Sequence, residues 1–92
     1  MDIEFDPAKD AANRLKHELS LSQAASLDWD DLFVRIDSRR DYGEIREIGL
    51  GTVGDRLHCV VFVRLANGNC RIISLRKANL REKRTYEKAQ AD

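Results

Sequence analysis

The chain has 92 residues, of which 42% are hydrophobic and 35% charged. This length provides apolar surface for one core only, so we expect a single domain over residues 1–92, and the composition excludes an intrinsically disordered chain. The net charge is zero, but residues 1–45 carry 6 Lys and Arg against 11 Asp and Glu, whereas residues 46–92 carry 10 against 5. The basic half can attract a polyanion, because the local field decides contact with a phosphate. The simpler alternative is that the two halves neutralise each other.

The longest apolar run, residues 59–63, is far shorter than the roughly 18 residues that a membrane-spanning helix requires. Residues 1–4 also lack the basic start of a signal peptide, so we expect a cytoplasmic protein that does not enter a membrane. Cys59 and Cys70 lie in apolar surroundings and are expected to be unbridged core residues. No zinc-binding spacing occurs, and neither a metal nor a cofactor is expected.

The chain begins with a short strand followed by a helix. Residues 3–5 alternate like an edge strand, and Asp6 then provides an N-cap before Pro7 at the first helical position. The residues predicted to form the core face of this helix are Ala8, Ala11, Ala12, Leu15 and Leu19. The predicted polar stripe consists of Lys9, Asn13 and Lys16, with His17 at its margin.

After this helix the pattern predicts a second helix and then a sheet. Ser20 can cap a helix that runs to about residue 28. Asn79, with Glu82 three positions later, forms a capping-box pattern for a last helix that has few apolar residues. Between the helices, alternating apolar residues predict four strands at 32–36, 45–50, 57–65 and 70–76. The fold class is therefore α+β, with two N-terminal helices packed on a small antiparallel meander and a C-terminal helix.

A turn at residues 67–68 fixes the register predicted for the last hairpin. Asn-Gly favours a two-residue turn, which sets residue 65 opposite 70 and residue 59 opposite 76. This register places Arg64 opposite Arg71, a destabilising pair of like charges unless an anion lies between them. It also puts Cys59, Cys70, Ile72 and Arg76 on one face. Apolar residues occur on both faces, which indicates that helices cover one face and another element or a partner covers the other.

Three stretches of the chain match the ordered pattern of a known family. They are Phe5-Asp6-Pro7 with Lys9, Asn13 and Lys16-His17, then Tyr42-Gly43-Glu44 with Arg46, Gly49 and Leu50, and finally residues 71–78 with Arg81, Glu82, Arg84 and Tyr86. In this order and spacing the sequence resembles the BrnT toxins over nearly its whole length. It departs from their pattern at Phe5, where Trp is common, and at Glu18-Leu19, where Gly and an aliphatic residue are usual.

The resemblance implies a RelE-like fold and the toxin role in a type II toxin–antitoxin system. The implied activity is metal-independent cleavage of RNA, which inhibits translation and growth until an antitoxin neutralises the toxin. The implied partner is a BrnA-type ribbon-helix-helix antitoxin that forms a hetero-oligomer with the toxin and links it to operator DNA. The alternative is a non-catalytic module that only binds its partner in such a complex.

Metal-free RNA cleavage needs a base for the 2′-hydroxyl, positive charge near the phosphate and an acid for the leaving 5′-oxygen. Glu44 and Arg46 share a face of one strand, so the guanidinium can keep the carboxylate ionised. An ordinary surface ion pair is the alternative, and the resemblance favours function. His17 and His58 are the other titratable candidates. His17 can supply the acid or bind RNA, and the alternative is a packed or capping residue, which a lone helical histidine more often is.

The remaining candidates are basic side chains of the last hairpin and the first helix. Arg76 ends an otherwise apolar strand, where an arginine needs a carboxylate or phosphate partner. The predicted catalytic residues are Glu44, Arg46, Arg71, Arg76 and His17. The predicted RNA-binding residues are Lys9, Lys16, Arg64 and Lys77.

Overall fold

The computed structural model describes residues 1–91 and contains five strands, two α-helices and two short 3₁₀ helices. The strands are β1 (Ile3–Glu4), β2 (Phe33–Ile36), β3 (Glu47–Val53), β4 (Arg56–Arg64) and β5 (Cys70–Lys77). The α-helices are α1 (Pro7–His17) and α2 (Leu80–Ala91), and the 3₁₀ helices are Leu21–Ser26 and Trp29–Asp31. The α+β class predicted from the sequence is therefore confirmed.

The five strands form one sheet in the order β1-β5-β4-β3-β2. Strands β2 to β5 make the predicted antiparallel meander. The two-residue β1 pairs in parallel with β5, with Ile3 opposite Cys70, so the sheet is mixed and not purely antiparallel. Because β1 ends at Glu4, the outer edge of β5 has no strand partner beyond Arg71.

The first face of the sheet is covered by the segment that follows α1. Leu21, Ala24 and Leu27 are buried against it, and they recur every third residue, which is the period of a 3₁₀ helix. The predicted second helix is therefore a six-residue 3₁₀ helix, capped by Ser20 as expected. Trp29 closes this core edge-to-face on Phe62, with ring centroids 5.1 Å apart.

Helix α1 begins as predicted, with Asp6 as N-cap and Pro7 in the first turn, but it presents the opposite face to the sheet. Leu15, predicted to be core, is 89% exposed, whereas Asn13 of the predicted polar stripe is only 5% exposed. The Asn13 amide donates to the carbonyls of Leu75 (2.8 Å) and Leu19 (2.9 Å) and accepts from the Leu75 N–H (3.1 Å). Helix α1 is thus held by hydrogen bonds along the free edge of β5, which explains the error.

The last hairpin contains a β-bulge that the turn-based register missed. Cys59 pairs with Arg76 as predicted, but Phe62 pairs with Ile72 and Val61 with Ser74, so Ile73 has no partner on β4. The bulge shifts every pair between it and the turn by one residue. As a result, Arg64 lies opposite Cys70 and Arg71 opposite Val63, and the predicted Arg64–Arg71 pair is wrong.

The same shift changes which side chains share a face. Cys70 and Ile72 pack in the first core with Val60, and not beside Cys59 as predicted. With the bulge, the alternation of side chains places Arg71 on the same face as Arg76. The register predicted from the turn had placed these two residues on opposite faces. Cys59 and Cys70 are free thiols, as expected.

The second face of the sheet carries a smaller apolar cluster and is only partly covered by α2. Tyr86 packs against this cluster and its hydroxyl donates to Asp31 at 3.1 Å, but α2 has no buried residue. The predicted capping box is present: the Asn79 N–H donates to Glu82 Oε1 (2.9 Å) and the Glu82 N–H to Asn79 Oδ1 (2.8 Å). Neither α-helix of residues 1–91 has the length and hydrophobicity that a membrane span requires.

We predict that Asn13→Ala lowers the free energy of unfolding by about 2–4 kcal/mol, because it leaves the buried N–H and C=O of Leu75 unsatisfied. Chemical denaturation measures this change. The matched control on the same helix is Leu15→Ala, which should change stability by less than about 0.5 kcal/mol because Leu15 is exposed. A larger loss for Leu15→Ala than for Asn13→Ala would contradict the observed orientation of α1.

Candidate active site

A groove of about 450 Å³ crosses the second face of the sheet between α1 and β2. Its floor is apolar and is formed by Ile48, Cys59, Val61 and Ile73. Basic side chains from α1, from β2 and its following loop, and from β5 surround this floor: Lys9, Lys16, His17, Arg35, Arg39 and Arg76.

The groove is strongly basic although the protein is neutral. Glu82 is the one carboxylate that lines it among residues 1–91, against five Lys and Arg side chains. No carboxylate of the described chain lies within 4.0 Å of Lys9, Lys16 or Arg35. These three cations are free to receive an anion, so the groove is suited to bind a polyanionic backbone.

Arg76 lines the groove and is oriented by Glu82. Its Nη1 and Nη2 donate to Glu82 Oε1 (2.7 Å) and Oε2 (2.8 Å) in a bidentate pair. This hydrogen bonding raises the pKa of Arg76 and lowers that of Glu82. The sequence-based requirement that Arg76 have a carboxylate or phosphate partner is thus met by a carboxylate of the capping box.

His17 ends α1 and lines the same groove. Burial lowers its pKa below the ordinary value of 6.5, and the charges of Lys16 and Arg76 lower it further. Its imidazole is therefore mainly neutral at pH 7 and can accept a proton inside a cationic groove.

Glu44, Arg46 and Arg71 form a second charged cluster at the other end of the hairpin. Both Glu44 carboxylate oxygens accept from Arg71 Nη2 at 2.6 Å, and Oε2 also accepts from Arg46 Nε at 3.1 Å. The hydrogen bonds from Arg71 and then Arg46 lower the pKa of Glu44. The predicted pairing of Glu44 with Arg46 is confirmed, but both residues precede β3 and do not lie on one strand as predicted. None of the three residues lines the groove.

Asp37 connects the second charged cluster to the groove. Its side chain is only 1% exposed, and it accepts from Arg39 Nε (2.8 Å) and Nη2 (2.7 Å) and from the Tyr42 hydroxyl (3.1 Å). The Tyr42 ring in turn lies 4.2 Å from the Arg46 guanidinium. The hydrogen bonds from Arg39 hold the pKa of Asp37 far below its ordinary value of 3.8. Asp37 therefore fixes Arg39 at the groove and Tyr42 under Arg46.

The groove gathers Lys9, Lys16, His17 and Arg76 of the sequence-predicted site. Besides Glu44, Arg46 and Arg71, three further candidates lie elsewhere. Arg64 lies over the Phe62 ring on the first face of the sheet and pairs with Glu47 at 2.7 Å. Lys77 is exposed and does not line the groove. His58 is buried and its Nδ1 lies 2.9 Å from the Arg56 carbonyl. Its role is therefore structural, and it does not line the groove.

Sequence reasoning missed Arg35, Arg39 and Glu82 as groove residues. Alternation in β2 places Arg35 on the face opposite Val34, which belongs to the first core, so this position could have been found. The position of Arg39 depends on the folded loop around Asp37, and no local pattern predicts it. Glu82 was identified only as a helix cap, because its contact with Arg76 depends on where α2 begins.

The fold and the groove define a small α+β protein with a basic groove on one face of its sheet. Residues 5–82 match the family model described as "Ribonuclease toxin, BrnT, of type II toxin-antitoxin system". The chain therefore belongs to the BrnT family of ribonuclease toxins, which confirms the resemblance seen in the sequence. Membership of a type II system implies a protein antitoxin as partner.

The structure is also similar to that of a solved ribonuclease toxin. The 1.1 Å crystal structure of Brucella abortus BrnT matches with a TM-score of 0.61 and 23% sequence identity, over 86% of this chain and 97% of that chain. At this identity the likeness shows the fold. No curated protein matches the sequence.

We predict that Asp37→Asn destabilises the protein at pH 7 by about 1–3 kcal/mol, because Arg39 and Tyr42 lose a charged acceptor. Since folding lowers the pKa of Asp37, its stabilisation is present above the ordinary pKa of 3.8 and is lost as the pH falls through the folded value. The stability difference between Asp37→Asn and the wild type should therefore shrink in acid. Denaturation at a series of pH values measures it, and Asp30→Asn, at an exposed position, is the control. A difference that stays constant from pH 7 to strong acid would contradict this role.

Proposed function

We propose that the protein is a metal-independent endoribonuclease that binds the RNA backbone in the basic groove. The observation that carries this proposal is the convergence of a neutral histidine, His17, with Arg76 and three unpaired cations on one apolar floor. The unpaired cations Lys9, Lys16 and Arg35 bind phosphates along the strand. The family to which the chain belongs supports RNA as the polyanion.

His17 is proposed as the general base of the reaction. Its neutral imidazole takes the proton of the ribose 2′-hydroxyl, and O2′ attacks the adjacent phosphorus while the bond from phosphorus to O5′ breaks. The ammonium of Lys16 or Lys9 gives a proton to O5′. The products are a 2′,3′-cyclic phosphate and a 5′-hydroxyl. Arg76 and Arg35 stabilise the charge that develops on the phosphorane oxygens.

Glu44, one of the titratable candidates from the sequence, is proposed to orient its arginine neighbours instead. Its two oxygens already accept hydrogen bonds from Arg71 and Arg46, and its lowered pKa makes it a weak proton acceptor. Arg46 and Arg71 are proposed to contact phosphates that flank the cleaved bond, since strand alternation places Arg71 on the face of the groove.

Proton transfer and charge stabilisation are the roles that a metal ion performs in many phosphoryl-transfer enzymes. In this protein His17 and the groove cations can supply both, so we propose that cleavage proceeds in EDTA.

The antitoxin is proposed to be of the BrnA ribbon-helix-helix type and to bring the toxin to operator DNA in a hetero-oligomer in the cytoplasm. Ala8, Ala11, Ala12 and Leu15 form an exposed apolar stripe on α1, and Ala12 also lines the groove. An antitoxin segment that covers this stripe can place acidic side chains over Lys16 and Arg76, where they replace phosphate. The stripe is also consistent with the alternative, a non-catalytic protein that only binds its partner. A cleavage assay distinguishes this alternative from a ribonuclease.

We predict that Arg76→Ala and His17→Asn each reduce RNA cleavage at least about tenfold, the scale expected for loss of one charge-stabilising or proton-transferring group. Because burial and neighbouring cations lower the pKa of His17, kcat/KM should rise with pH through an apparent pKa below 6.5. His17→Asn should abolish this limb of the profile.

The matched control for these substitutions is Arg64→Ala, which removes an arginine from the first face of the sheet and should leave cleavage within about twofold. All assays contain EDTA, and circular dichroism checks folding. If Arg64→Ala and Arg76→Ala lose cleavage activity equally, the groove does not take part in the reaction. Intact RNA and normal growth when the wild-type toxin is expressed without antitoxin would support the non-catalytic alternative.

We predict that salt weakens RNA binding more steeply than antitoxin binding, because counterion release dominates the first and apolar burial contributes to the second. Titrating both ligands at several salt concentrations gives the two slopes.

Leu15→Ser should weaken antitoxin binding at least about tenfold and leave RNA cleavage unchanged, since Leu15 is exposed and does not line the groove. Equal slopes, or unchanged antitoxin binding by Leu15→Ser, would show that the stripe does not hold the antitoxin.

A further inference from the structure

We infer that a second pocket beside the groove binds a nucleobase next to the cleaved bond. This inference rests on the proposed function and adds a base subsite to it. The pocket has a volume of about 530 Å³ and lies between β2, β3 and the start of α2. This volume is ample for one base.

The pocket adjoins the groove. Arg35, Ile48 and Glu82 line both, so the two spaces share one wall. A nucleotide whose phosphate lies between Arg35 and Arg76 has its ribose at this junction. Its base, or the base of the adjoining nucleotide, can then enter the second pocket without leaving the protein surface.

The lining of the pocket suits the flat face of a base. Ile48 and Leu50 form a buried apolar floor, and Phe33 offers a partly exposed aromatic ring. Arg81 adds a second guanidinium besides Arg35. Bases stack on aromatic rings and on guanidinium planes, and this binding tolerates different sequences because every base has such a face.

Polar groups at the rim can contact the edge of the base. The Asn79 side chain accepts a hydrogen bond through Oδ1 from the Glu82 N–H, while its Nδ2 has no acceptor within residues 1–91. The Thr85 hydroxyl donates to the Arg81 carbonyl and keeps its lone pairs available. Both residues line the pocket. They offer a donor and an acceptor, which gives the site a means to prefer some bases over others.

The test uses oligonucleotides with a single ribonucleotide as the one cleavable position, and compares an intact strand with strands that carry an abasic residue at that position or at the next one. We expect wild-type kcat/KM to fall about tenfold for one of the two abasic strands, in line with loss of one stacked base. On the intact strand, Phe33→Ala should have a kcat/KM lower than that of the wild type by about the same factor. On that abasic strand, Phe33→Ala and the wild type should have nearly the same kcat/KM.

Ile36→Ala is the matched control, because Ile36 is on the same strand, is 65% exposed and lines neither pocket. It should cleave all strands like the wild type. Phe33→Leu, which keeps apolar volume but removes the ring, should resemble Phe33→Ala if stacking matters and folding is intact.

The inference is overturned if wild-type protein cleaves the intact and both abasic strands equally, or if Phe33→Ala loses activity equally on all of them. It is also overturned if Phe33→Ala weakens only antitoxin binding, which would make the pocket a protein-docking site. If no strand is cleaved, the proposed function fails, and binding of all-deoxy strands with and without the abasic residue decides the base site separately.

Discussion

The carboxamide of Asn13 takes the place of a strand at the edge of β5. Strand β1 is only two residues long, so the N–H and C=O of Leu75 would be buried without partners if Asn13 did not bind both. Lys9, Lys16 and His17 lie four before, three after and four after Asn13, and therefore share its side of the helix. The hydrogen bonds of Asn13 that complete the sheet edge thus also position Lys9, Lys16 and His17 at the groove.

Local signals in the sequence were sufficient for the helix caps and for the order of the strands, but not for how α1 docks. The caps at Asp6, Ser20 and Asn79 are all present, because capping depends on neighbours within three residues. The polar stripe of α1 was identified correctly and placed outward, since hydrophobicity alone assigns Leu15 to the core. Hydrogen bonding to a distant strand decided the orientation, because β1 is too short to pair with Leu75, which lies 62 residues from Asn13 in the sequence.

The candidate site was predictable where it depends on residue type and unpredictable where it depends on register. Arg76 was identified because a charged residue at the end of an apolar strand needs a partner. Arg71 was placed on the wrong face because no turn signal reveals the bulge at Ile73. No local pattern distinguishes Asp37 in the sequence, and only the folded chain shows that it binds Arg39 and Tyr42.

Glu82 serves two elements with one carboxylate. It accepts the N–H of Asn79 at the start of α2 and binds both terminal nitrogens of Arg76. A phosphate that binds Arg76 competes with Glu82, whose carboxylate also caps a helix that buries no residue, so the free energies of anion binding and of ordering α2 are linked through this carboxylate. Linkage is reciprocal: whatever orders or frays α2 must change the affinity of Arg76 for an anion by the same factor, even if it never touches the groove.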